Sequence, residues 1–169
     1  HLFQRLLKLI KKELMIKADV LVDNKTWKKY IGNPNIYLNK KLKKAEKKIG
    51  ILKKNKLIFT LLLSGNNEIK KLNKKFRKKN IATDILSFPF HEKKKLHNLT
   101  RGNSNDIYLG DIIINLNKII EASKKENFLV IFDKIWIHGL THLLGYRHKS
   151  NRDFSSMQKL EKKIIKFIK

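Results

Sequence analysis

The chain has 169 residues, 40 Lys and Arg against 14 Asp and Glu, and a formal net charge of +26. Its length suits one domain with its own core, and zero cysteines exclude disulfides, thiolate metal sites and cysteine nucleophiles while fitting a reducing cytosol. No apolar run nears the ~20 residues that cross a bilayer, so a membrane span is excluded and a polyanionic partner, nucleic acid first, is invited. Only five of the basic residues are Arg, and Ile and Asn are abundant too. AT-rich coding produces that bias, so the charge alone is a weak argument for RNA.

Residues 1–14 place Leu2, Leu6, Leu9 and Ile10 on one stripe of a basic amphipathic pattern that precedes Met15. We read them as an N-terminal extension or an upstream start, with a single domain from 15 to 169. A membrane-surface helix is the alternative, and a signal-peptide cleavage site is lacking. Ile16 to Val22 then reads as a strand, Tyr37 to Lys48 as a Lys-rich helix and Leu57 to Leu63 as a buried strand. Asn66 or Asn67 can cap a helix through Ile69, Leu72 and Phe76. Thr83 to Phe88 is a strand stopped by Pro89, and polar His91 to Asp106 reads as a mobile loop. Ile107 to Ile114 is a strand, followed by helices from Leu116 to Lys125 and from Asn127 to Leu144. Asn151 to Ile168 closes the chain as a helix with Phe154, Met157, Leu160, Ile164 and Ile168 inward. The order implies an α+β fold, a small mixed sheet packed with helices, with an antiparallel strand pair around the mobile loop.

Half of the six histidines fall in the stretch from His138 to His148, at spacings of four and six. Residues four apart share a helix face, so His138 and His142 can grip one ion. Gly145 ends the helix, and the turned chain can return His148 to the same point. Three neutral imidazoles form the ligand set of a catalytic zinc with one open position, which makes this a zincin-like site on a long helix. In the extended zinc-protease motif a Glu follows the first His as general base, but Gly139 stands there. Peptide hydrolysis is therefore disfavoured, while phosphodiester hydrolysis remains open. Asp84 and Asp111 are the strand carboxylates that could orient the imidazoles, and capping or turn formation suits each equally well. Arg77, within the run from Lys74 to Lys79, reads by itself as a solvated cation.

Three segments together resemble the YbeY family of bacterial ribosomal-RNA maturation factors and metal-dependent endoribonucleases. They are the stretch from His138 to His148, Leu72–Arg77 with Ala82–Phe90, and Tyr108–Ile114, in the family's order and spanning roughly Leu57 to Ile168. The resemblance implies one zinc ion on His138, His142 and His148, with Arg77 important in a cleft beside it. A guanidinium there would hold a phosphate bidentately. It further implies a single-strand-specific endoribonuclease that matures the 3′ end of small-subunit (16S) ribosomal RNA and serves ribosome quality control. The implied setting is cytoplasmic, and the implied partners are ribosomal RNA of the small subunit, a ribosomal protein and a ribosome-assembly GTPase. The chain departs from the family at Arg147, usually Asp, and at Lys149–Arg152, usually acidic, with only Asp153 retained. Both changes spare the three ligands and bear on metal affinity and partner contact. Two other readings stand beside this one: a non-catalytic rRNA-binding assembly factor with a structural zinc, and a divergent zinc peptidase.

Overall fold

The computed structural model describes residues 15–46, 49, 55–102 and 106–169, so the reading of residues 1–14 lies outside the described residues. Strand β1 (Ile16–Val22) leads through a short helix α1 (Trp27–Tyr30) to α2 (Pro34–Ala45). Helix α2 starts earlier than the apolar pattern suggests. Asn33 caps it by accepting from the Ile36 N–H at 3.0 Å, and Pro34 supplies a preset first turn. Its expected end at Lys48 lies outside the described residues. Strand β2 (Lys56–Ser64) runs parallel to β1, with Leu57, Phe59, Leu61 and Leu63 fully buried on one face.

Helix α3 (Asn66–Arg77) follows at once, and its cap is Gly65 rather than Asn66 or Asn67. A side chain at 65 would crowd Asn117 Oδ1 at 3.1 Å and Asn24 Nδ2 at 3.2 Å, so the small residue takes the cap position. Strand β3 (Ile85–Pro89) leads to β4 (Asp106–Asn115), and the sheet order is β1-β2-β4-β3. The first three of these strands are parallel, while β3 pairs antiparallel with β4. The segment between β3 and β4 is not the expected mobile loop throughout. It contains helix α4 (Lys93–Arg101), anchored by buried Leu96 and partly buried Leu99. Two apolar residues among nine suffice for a one-sided helix, but they are too few to stand out in a polar sequence.

Helix α5 (Leu116–Ala122) is capped by Asn115, and α6 (Phe128–Leu143) by Asn127. Helix α7 (Asn151–Ile168) is capped by Ser150 and closes the fold against α6 and α2. Met157, Ile164 and Ile168 on α7 are buried, but Phe154 is 50% exposed because the packed stripe begins only at Met157. Among the described residues no helix is long and apolar enough to cross a membrane.

The main core fills the sheet face under α6, where Phe59, Trp27, Phe132 and Trp136 are fully buried. Their polar edges are satisfied. Trp27 Nε1 donates to the Ser64 carbonyl at 2.9 Å, and Trp136 Nε1 to Asp133 Oδ1 at 2.9 Å. Asp133 also accepts from the Tyr37 hydroxyl and pairs with Lys41 at 3.2 Å, fastening α2 to α6. A smaller cluster of Ile69, Leu86 and Ile113 packs α3 on the opposite face.

Candidate metal centre

Helix α6 crosses the sheet closely because Gly139 lets it. A Cβ at 139 would sit 2.8 Å from Ile85 Cδ1 and 3.0 Å from Ile112 Cγ2. Position 139 therefore faces the sheet, and a protease-type Glu would meet β3 and β4. The missing base has a packing reason as well as a chemical one. His138 and His142, beside that contact on the helix surface, line a cleft together.

The helix then stops in the manner the glycine promised. Gly145 has φ +91, its N–H donates to the His142 carbonyl at 3.0 Å, and the Tyr146 N–H donates to the Thr141 carbonyl at 3.1 Å. This paired closure is the Schellman motif, and it folds the chain back so that His148 joins the other two rings. One ligand atom from each of His138, His142 and His148 lies within 4.8 Å of the others.

The donor chemistry fits a cation. His142 Nδ1 lies 3.0 Å from the Tyr146 carbonyl, which can only accept, so Nδ1 carries the proton. His138 Nδ1 lies 2.8 Å from Glu161 Oε1 and donates likewise to that carboxylate. In the neutral rings both Nε2 atoms are then bare, and they face each other at 3.2 Å. Two lone pairs at that separation repel unless a cation lies between them, and the third imidazole completes a set that could hold a metal ion. Burial, helped by the charges of His138, His148 and Arg147 and opposed by the Tyr146 carbonyl, brings the pKa of His142 down to about 4. That ring is therefore neutral, as a ligand must be, near pH 7.

Around this centre lies a cleft of about 410 Å³. Its far wall comes from the end of α3, the turn into β3 and β3 itself: Arg77, Thr83, Asp84, Ile85 and Ser87. Helix α3 ends at Lys78, whose left-handed conformation (φ 60) lets its N–H close onto the carbonyls of Asn73 and Lys74. Arg77 is thereby turned toward β3. Its Nη2 donates to the Ser87 carbonyl at 3.4 Å, and its guanidinium lies 5.9 Å from the Phe88 ring. Arg77 and the three histidines, 61 or more residues apart in sequence, line one cleft.

The expected carboxylates take other places. Asp84 lines the cleft, but its Oδ1 accepts from the Ile85 N–H at 2.8 Å and from Thr83 Oγ1 at 3.0 Å, so it shapes the turn into β3. Asp111 lies on the other face of the sheet, next to Ile112, which packs on Gly139. It accepts from the Tyr108 hydroxyl at 2.6 Å. Neither hydrogen-bonds an imidazole among the described residues. The carboxylate that does is Glu161 on α7, which sequence reasoning missed. A signal was available: Glu161 falls on the same stripe as buried Met157, Ile164 and Ile168.

The fold and the site together define an α+β protein with a three-imidazole centre able to hold a metal ion. The chain matches the family described as Endoribonuclease YbeY over residues 4–169, and it belongs to that family. It is similar to the Endoribonuclease YbeY of Pelagibacter ubique (strain HTCC1062), 45% identical over 158 residues that cover 92% of this chain and 97% of the relative. The Endoribonuclease YbeY of Buchnera aphidicola subsp. Acyrthosiphon pisum (strain APS) is 41% identical over 136 residues, covering 79% and 83%. The solution structure of TM1509 from Thermotoga maritima shares the fold, with a TM-score of 0.51 at 22% identity and 88% of each chain covered.

Proposed function

We propose that this protein is a zinc-dependent endoribonuclease that cuts single-stranded precursors of ribosomal RNA, the 3′ end of the small-subunit RNA being its place of action. The small ribosomal subunit, a ribosomal protein and an assembly GTPase are its proposed partners, and the cytoplasm its compartment. The observation that carries the reading is the shared cleft: three imidazole ligand atoms within 4.8 Å of one another, with Arg77 on the facing wall. Relatives named as endoribonucleases over almost the whole chain support it, as does the net charge of +26.

His138, His142 and His148 would hold a divalent ion, which would supply Lewis-acid chemistry toward a phosphate oxygen. The chain's own residues do the rest. Glu161 and the Tyr146 carbonyl fix the rings of His138 and His142 with their Nε2 lone pairs toward the cleft. Arg77 is free of any carboxylate among the described residues, so its planar fork is available to two phosphate oxygens. Its guanidinium, braced by Ser87 and Phe88, orients the phosphate and offsets charge that develops on it. Gly139 leaves position 139 without a side chain for the general-base role that peptide hydrolysis requires.

The test is cleavage of a single-stranded RNA spanning the 3′ end of the small-subunit precursor by zinc-loaded, nuclease-free protein. Cleavage is expected to stop on chelation and with His142→Ala, and to slow about 10²–10³-fold with Arg77→Ala. Cleavage by His142→Ala at the wild-type rate would overturn the reading.

A further inference from the structure

The cleft carries more positive charge than one phosphate can answer. Arg77 stands on its α3 wall, and Arg147 and Lys149 on the wall formed by the segment between α6 and α7. Against these three cations the lining offers one carboxylate, Asp84, whose Oδ1 is engaged by Thr83 and Ile85. The excess is two positive charges before any metal ion is counted. Arg147 is exposed and has neither an ion pair nor a hydrogen bond among the described residues. It lines the same cleft as the three imidazoles and directly precedes His148 in the chain. A guanidinium placed beside a dication is repelled by it unless an anion lies between them. A phosphodiester carries one negative charge, so a single scissile phosphate on Arg77 leaves the other wall uncompensated.

We propose that Arg147 binds a second phosphate of the same RNA strand, adjacent to the phosphate held by Arg77, so that the cleft grips two consecutive phosphodiesters. Lys149 adds an unspecific charge on the same side, while the guanidinium fork gives Arg147 direction. The consequence is a preference for internal phosphodiesters of a chain over an isolated one. This inference rests on the proposed RNA-cleaving function.

The test is binding by chelated full-length protein, which keeps the RNA intact, across a range of KCl concentrations. Two probes are used: a labelled single-stranded RNA decamer, and uridylyl-uridine with its single phosphodiester, measured by competition. Arg147→Ala is expected to weaken decamer binding several-fold and to flatten the plot of log affinity against log salt by about 0.7, the share of one phosphate on a single strand. Its binding of uridylyl-uridine should match wild type, whereas Arg77→Ala should weaken both probes. Arg147→Lys should keep the slope. Lys159→Ala, exposed on α7 and outside the cleft lining, should also leave it unchanged. Zinc binding by Arg147→Ala at least as tight as wild type would show that fold and centre are intact, since removing the guanidinium removes a repulsion. An unchanged slope for Arg147→Ala beside a weakened Arg77→Ala would overturn this inference alone, as would an equal loss on uridylyl-uridine. Unchanged binding by both variants would overturn the RNA reading as well.

Discussion

Glu161 Oε1 lies 2.8 Å from His138 Nδ1 and joins the closing helix α7 to the first imidazole of the centre. The bond fixes the tautomer and the plane of the imidazole and makes its Nε2 a stronger donor to a cation. It also ties packing to chemistry, because the stripe of Met157, Ile164 and Ile168 that buries α7 is what delivers the carboxylate. Glu161→Ala should weaken zinc binding about 10–100-fold with helix content unchanged. Chelator competition reads the affinity and circular dichroism the fold; zinc affinity equal to wild type would contradict the assignment.

Gly139 makes a second prediction, about why this helix has no peptidase base. Gly139→Ala should cost about 1–3 kcal/mol, as overpacking against Ile85 and Ile112 does. Gly139→Glu should cost more and confer no proteolysis. Urea denaturation gives the first result and incubation with a denatured casein the second. A stable Gly139→Glu protein would show that α6 can move off the sheet.

Gly145→Ala separates the turn from the ligands. The residue has φ +91, and a Cβ there would sit 3.0 Å from Lys93 Cβ and Cγ. A non-glycine residue held in such a conformation costs on the order of 1–3 kcal/mol, which a changed turn would relieve by moving His148. Thermal melting should show the loss of stability, and zinc titration a weaker site, although no ligand has been altered.

The acid response of the metal-free protein follows from His142. Burial chiefly, then the neighbouring His138, holds its pKa at about 4 in the fold, against about 6.5 in the unfolded chain. Between those values the unfolded chain binds a proton that the folded one refuses, so stability falls as pH drops from 6.5 toward 4. Below about 4 this contribution levels off. Chelated wild-type protein should therefore lose melting temperature across that window more steeply than His142→Gln. Parallel curves for the two proteins would rule out this origin.

Much of the centre was legible because its parts are local. Two histidines one helical turn apart, a glycine and a third histidine occupy eleven residues, and backbone geometry alone brings them together. Strand positions followed from apolar runs, and the helices expected from Leu116, Asn127 and Asn151 begin at Leu116, Phe128 and Asn151. Helix α4 was missed because one buried leucine and one half-buried neighbour leave no periodic signature in a lysine-rich segment.

Asp111 shows how a single backbone feature can redirect a reading. The register of β2 against β4 shifts between Ile58 and Phe59, whose partners are Tyr108 and Gly110. Gly110 takes φ +128 there, and a Cβ would lie 2.1 Å from the Phe88 carbonyl oxygen. The extra residue of this bulge puts Tyr108 and Asp111 on one face despite their odd spacing, on the opposite side from the histidines.

By itself the sequence determined the mixed α+β class, the three imidazoles and the turn that gathers them. The imidazoles and their turn depend on contacts within a few residues, where chain geometry leaves little choice, and the class follows from the order of strand-like and helix-like segments. Only the tertiary structure decided that Glu161 and not Asp111 serves His138, that Gly139 is a packing residue, and that Arg77 and Arg147 share one cleft. Each of those depends on which faces of distant elements meet. Burial of the apolar stripes on α6, α7 and the sheet sets that choice, and no spacing along the chain encodes it directly.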